Sequence, residues 1–171
     1  SWSGGPPFTG RTALLEAIAD AFDHGPVILW GLPGQGKTRT AREFVRLLDG
    51  RHRVAWPLPG EDLGRLRWEY AHMARFLGDD RLLDDLHRLV ATGEVDAAFL
   101  ARVRSGIEAA GSWLLLFDNV SAVADIRPLI PRGRDINVLI TVQGDPDGWQ
   151  GEGRLIRVSE MDGVTAVDLV D

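Results

Sequence analysis

Val27-Ile28-Leu29-Trp30-Gly31-Leu32-Pro33-Gly34-Gln35-Gly36-Lys37-Thr38 is the stretch around which the rest of the chain is organised. Its first four residues form an apolar run suited to a buried parallel strand. Its last eight fit the phosphate-binding loop pattern G-x-x-x-x-G-K-[ST] in full. Further on, Ala41, Phe44, Val45 and Leu48 recur at helical spacing, so strand, glycine-rich loop and helix follow in the order this pattern requires. Glycine at 31, 34 and 36 lets consecutive backbone N–H groups turn inward around an anion, and the helix starting near Lys37 adds the positive end of its dipole. A lysine ammonium at that point reaches β and γ phosphates, and a Thr38 hydroxyl is a ligand for Mg²⁺.

Lys37 is the chain's single lysine; the remainder of its 19 basic residues are arginine. A planar guanidinium does not replace a compact point charge inside a phosphate loop, which gives a physical reason for lysine at this one place.

The chain has 171 residues, room for one ordinary domain, and its 44% hydrophobic and 26% charged residues sit near the globular average. That composition argues against a disordered tail or a bare coiled coil. The longest clean apolar run, Trp113 to Phe117, is far short of a membrane helix. Ser1 to Pro7 lacks the basic and apolar parts of a secretory signal and reads as a linker or expression remnant, leaving 8–171 as the domain. The absence of cysteine excludes disulfides, thiolate metal sites and cysteine nucleophiles, and a reducing cytoplasm is the expected compartment. A net charge of −6 gives no overall attraction to nucleic acid or anionic lipid, so neither is an expected partner.

Ahead of the loop, Leu14, Ile18, Ala21 and Phe22 line one helix face that Gly25-Pro26 ends. After it, Arg53 to Trp56 reads as a second strand closed by Pro57 and Pro59. Three helices follow, with stripes from Leu63 to Leu77, Leu82 to Val90 and Val95 to Ala110, divided by Gly78 and Gly93. Trp113 to Asp118, Ile136 to Thr141 and Leu155 to Val158 are strands, and Val164 to Val170 reads as a last helical piece. Strands alternating with helices imply a parallel sheet covered on both faces. An apolar strand ending in Asp118, about eighty residues past a phosphate loop, has the form of a Walker B element, which holds Mg²⁺ at the C-terminal edge of the sheet.

Together these residues resemble the nucleotide-binding domain of the STAND signalling NTPases, the group that includes the NB-ARC proteins, and the likeness runs over nearly the whole chain. Phe8-Thr9-Gly10-Arg11 is similar to the family's F-x-G-R, Gly31 to Thr38 to its G-L-P-G-x-G-K-T, and Trp113 to Val120 to its W-L-L-V-x-D-N-x. Leu129-Ile130-Pro131 and Val138-Leu139-Ile140-Thr141 resemble its L-L-P and V-L-I-T-S-R. The resemblance implies a P-loop NTPase fold, a three-layer α/β/α sandwich. Its five-stranded, mainly parallel sheet would have the order 2-3-4-1-5, with the sensor strand between the two Walker strands. It further implies ATP or ADP with Mg²⁺ as cofactors, held by Gly10, Arg11, Gly31, Pro33, Gly34, Gln35, Gly36, Lys37, Thr38 and Arg39, with Thr38 and Asp118 at the metal. The implied function is a nucleotide-gated signalling switch, part of a longer protein with effector and repeat-sensor domains and ATP-dependent self-association.

Two departures bear on catalysis. Asn119 stands where many hydrolysing relatives carry an acid, and Gln143 stands where the family has its phosphate-sensing arginine. An amide neither accepts the proton of an attacking water nor places charge on a γ phosphate. Positioned acid–base catalysis contributes about 10² to 10⁴-fold, so the expectation is nucleotide binding with slow hydrolysis at most. A phosphotransferase with its acceptor pocket among the helices between Leu63 and Ala110, or a scaffold with a decayed site, is the alternative function.

Overall fold

The computed structural model describes residues 8–31, 37–47, 53–133, 135–158 and 169–170. The strands are β1 (Val27–Trp30), β2 (Arg53–Pro59), β3 (Trp113–Val120), β4 (Ile136–Val142), β5 (Arg154–Arg157) and β6 (Leu169–Val170). The helices are α1 (Phe8–Ala21), α2 (Lys37–Leu47), α3 (Leu63–His72), α4 (Asp80–Thr92), α5 (Ala97–Ala110) and α6 (Val123–Ile126). The sheet runs β2-β3-β4-β1-β5-β6. Its first five strands are parallel, in the expected order with β4 between β1 and β3, and β6 is added antiparallel to β5.

Side-chain alternation along the strands explains the layers, since successive residues of a strand point to opposite faces. In β1, Val27 and Leu29 pack with Leu14 and Ile18 of α1 and with Ala41, Phe44 and Val45 of α2. Ile28 points the other way, into a second core with Leu66 and Tyr70 of α3 and Phe99, Val103 and Ile107 of α5. β3 divides likewise, Leu114 and Leu116 to the first core and Leu115 and Phe117 to the second. Strands covered on both sides have no polar face to show, which is why they read as unbroken apolar runs.

The three helices between β2 and β3 each begin with an aspartate whose carboxylate accepts the N–H three residues on: Asp62 from Arg65, Asp79 from Leu82 and Asp96 from Phe99. Gly93 closes α4 in the left-handed conformation, φ 81°. Trp149 is fully buried.

Two element readings need correction. β2 continues through Pro57 to Pro59 instead of closing at Trp56. It is an edge strand with a register shift between Ala55 and Leu58, the setting in which a missing N–H is tolerated. Leu169–Val170 is a strand, not the end of a helix, because it pairs with Leu155 and Ile156; the rest of that segment lies outside the described residues. Among the described residues no helix is long and apolar enough to cross a membrane.

Candidate functional site

Parallel pairing brings the ends of β1, β3 and β4 to one edge of the sheet, where ligands of open α/β folds collect. Lys37 is the first residue of α2, and its Nζ donates to two carbonyls at that edge, Gly31 O at 2.9 Å and Val142 O at 2.8 Å. The ammonium thus bridges the ends of β1 and β4. Burial lowers its pKa below the ordinary 10.5, while the negative charge of Asp118 acts in the opposite direction.

One residue along, the Thr38 hydroxyl donates to Asp118 Oδ1 at 2.9 Å, joining the loop helix to the end of β3 across 80 residues of sequence. Asp118 is 9% exposed and receives a second hydroxyl on the same oxygen, from Thr141 of β4 at 2.5 Å. Thr141 in turn accepts the backbone N–H of Asn119 at 2.8 Å. A carboxylate and a hydroxyl are hard oxygen donors, the set that Mg²⁺ takes alongside phosphate oxygens, so the pair fits that ion chemically.

Asn119 has φ 65°, in the left-handed region where asparagine is among the better tolerated side chains. The β3–β4 register shifts across it, between Phe117 and Val120. Pairing resumes as the Gln143 N–H donates to Val120 O at 3.0 Å, and the Gly60 N–H closes on Asp118 O at 2.6 Å. At Gly31, a β carbon would run into the carbonyl oxygen of Val158, so the backbone of β1 and the chain leaving β5 meet without a side chain between them.

The structure therefore brings Gly31, Lys37, Thr38, Asp118 and Asn119 into one group. Gln143 follows the carbonyl that receives Lys37 and is itself exposed; Arg39 is exposed on α2. Pro33, Gly34, Gln35 and Gly36 lie outside the described residues. Gly10 and Arg11 fall in the first turn of α1, with their side chains outside what is described. Sequence reasoning missed Thr141, Gly60 and the Val142 carbonyl. For Thr141 there was a signal, a hydroxyl at the end of the apolar run Val138-Leu139-Ile140; the other two act through backbone atoms, on which sequence is silent.

Of the arginines on the helices of the alternative reading, Arg65 pairs with Glu69, Arg102 with Asp85 and Arg104 with Glu108. The first and last are i,i+4 pairs along one helix, and the second joins α4 to α5.

Among solved structures, the chain is similar to a Signal Transduction ATPase with Numerous Domains (STAND) protein with a tetratricopeptide repeat sensor from Pyrococcus horikoshii. The TM-score is 0.56 at 23% identity, over 90% of this chain and 23% of the other. It also aligns with AMPPCP-bound DnaA from Aquifex aeolicus, at TM-score 0.46 and 14% identity, over 88% of this chain and 46% of that one. No protein-family model and no curated protein matches the sequence. The first likeness shows the fold: this is a P-loop NTPase fold, and the chain spans under a quarter of the STAND protein's length.

Proposed function

We propose that this chain is the nucleotide-binding domain of a STAND-type switch, binding ATP or ADP with Mg²⁺ and hydrolysing ATP slowly or not at all. The observation that carries the reading is the chain's single lysine, held at the head of α2 beside the Thr38–Asp118 pair. On this reading Lys37 exchanges its two carbonyl partners for phosphate oxygens, a charge-assisted replacement. Thr38 and Asp118 hold the metal, which when bound neutralises phosphate charge. Asn119 and Gln143 supply hydrogen bonds without a base or a cation, so the chemical step has little assistance. The NB-ARC-like motifs and the fold likeness support a place in a longer cytoplasmic signalling protein, with effector and repeat-sensor partners and nucleotide-dependent self-association.

The test is to release and identify any nucleotide that copurifies, then titrate Mg-ADP and Mg-ATP calorimetrically into the parent and Lys37→Ala. Loss of a charged hydrogen-bond donor corresponds to about 10–100-fold weaker binding in the variant. Parent protein without measurable affinity for either nucleotide would end the reading. Steady phosphate release faster than about 1 per second, abolished by Lys37→Ala, would overturn the slow-hydrolysis part alone.

A further inference from the structure

Thr141 places a hydroxyl where its neighbours in β4 are hydrocarbon: Val138, Leu139, Ile140 and Val142 are all buried, and Thr141 itself is 0% exposed. A buried hydroxyl is costly unless its hydrogen bonds are made, and this one is engaged on both sides. It accepts the Asn119 N–H and gives its one proton to Asp118 Oδ1. Threonine is stiff about χ1, so the hydroxyl has little freedom to follow Asp118 if the carboxylate swings. The same oxygen thus holds two things at once, the carboxylate and the left-handed residue after it, across which the β3–β4 register shifts.

We propose that Thr141 is a positioning residue for the metal end of the site: it fixes Asp118 in the orientation that meets Thr38 and so sets how strongly Mg²⁺ enhances nucleotide binding. The inference rests on the nucleotide-binding reading above. Thr141 is fully buried and acts through Asp118, without touching the ligand. Valine keeps the shape but removes the hydroxyl; serine keeps the hydroxyl and loses a methyl.

The experiment measures ADP affinity with MgCl₂ and with EDTA for the parent, Thr141→Val and Thr141→Ser. Partners that orient a metal ligand typically change metal affinity 10–100-fold, so in Thr141→Val the ratio of the two affinities falls by about that factor while the EDTA value stays within about twofold. Thr141→Ser restores the ratio to within about threefold of the parent. Without any ligand, amide exchange at Asn119 accelerates in Thr141→Val and not in Thr141→Ser. Thr141→Ala serves for the same comparison if Thr141→Val does not fold. An unchanged ratio in Thr141→Val, a parallel loss with and without Mg²⁺, or failure of serine to rescue would overturn the proposal. A parent that binds ADP in neither condition overturns the nucleotide reading and this inference with it, whereas a binding parent with an unchanged variant ratio removes the role of Thr141 alone.

Discussion

Lys37 is an unusually clean probe, because no other side chain in the sequence carries an ε-amine. Burial favours its neutral form in the folded chain, so its folded pKa lies below the 10.5 of the unfolded state. The unfolded chain then binds more protons in the alkaline window between those values, and folding stability rises with pH across it. The cost of burying the charge is fully present below the folded pKa and relieved above 10.5. Lys37→Met is expected to flatten that rise in urea unfolding at a series of alkaline pH values. On the proposed nucleotide-binding reading Mg-ADP is expected to act oppositely: phosphate charge favours the ammonium, so affinity should decline as pH climbs through the same window, and the lysine resonance should titrate at higher pH in the complex. At Asn119 the backbone decides. With φ 65°, Asn119→Ala costs about 1–2 kcal/mol, while Asn119→Gly is close to neutral; chemical denaturation separates the two. The sequence displays the missing acid at this position, but the left-handed turn that suits asparagine there becomes visible only in the fold.

Among elements, the decisive junction is the edge where β2, β3 and β4 end together. Gly60, just past β2, lies so close to β3 that a β carbon would come within 2.7 Å of Val120 Cα and 2.8 Å of Asp118 O. Gly60→Ala therefore forces backbone apart and is expected to cost about 1–3 kcal/mol. It also weakens Mg-nucleotide binding, since the Gly60 N–H holds the Asp118 carbonyl. Gly148→Ala, where nothing lies within 4 Å, is the matched control and should stay within about 0.5 kcal/mol. The strands of this junction were largely legible, since apolar runs of the right length alternate with helical stripes. Its details were not. β2 runs on through two prolines because, among the described residues, its outer edge has no partner strand, and a strand's place at the edge is a property of the sheet, absent from the strand's own residues.

For the whole molecule, the two cores on opposite sides of one sheet make the domain a single body into which the site is built. A ligand that binds only the folded state stabilises it by about 2.7 kcal/mol at a hundred times its Kd. For a chain of this size that corresponds to a rise in Tm of roughly 5–10 °C. Mg-ADP is expected to produce such a rise by differential scanning fluorimetry in the parent and about half of it or less in Lys37→Ala, where binding 10–100-fold weaker leaves about 0.4–1.4 kcal/mol of stabilisation at the same concentration. The sequence by itself determined the alternation of strands and helices and singled out Lys37, Thr38 and Asp118 as candidates, because periodicity and special residue types are written along the chain, while the strand order was implied by the family resemblance. The fold alone decided that Thr141 closes on Asp118, that the Gly31 and Val142 carbonyls share one ammonium, and that Asn119 turns left-handed. Those contacts join strands distant in sequence, and their partners are chosen by register and burial, which no local pattern encodes.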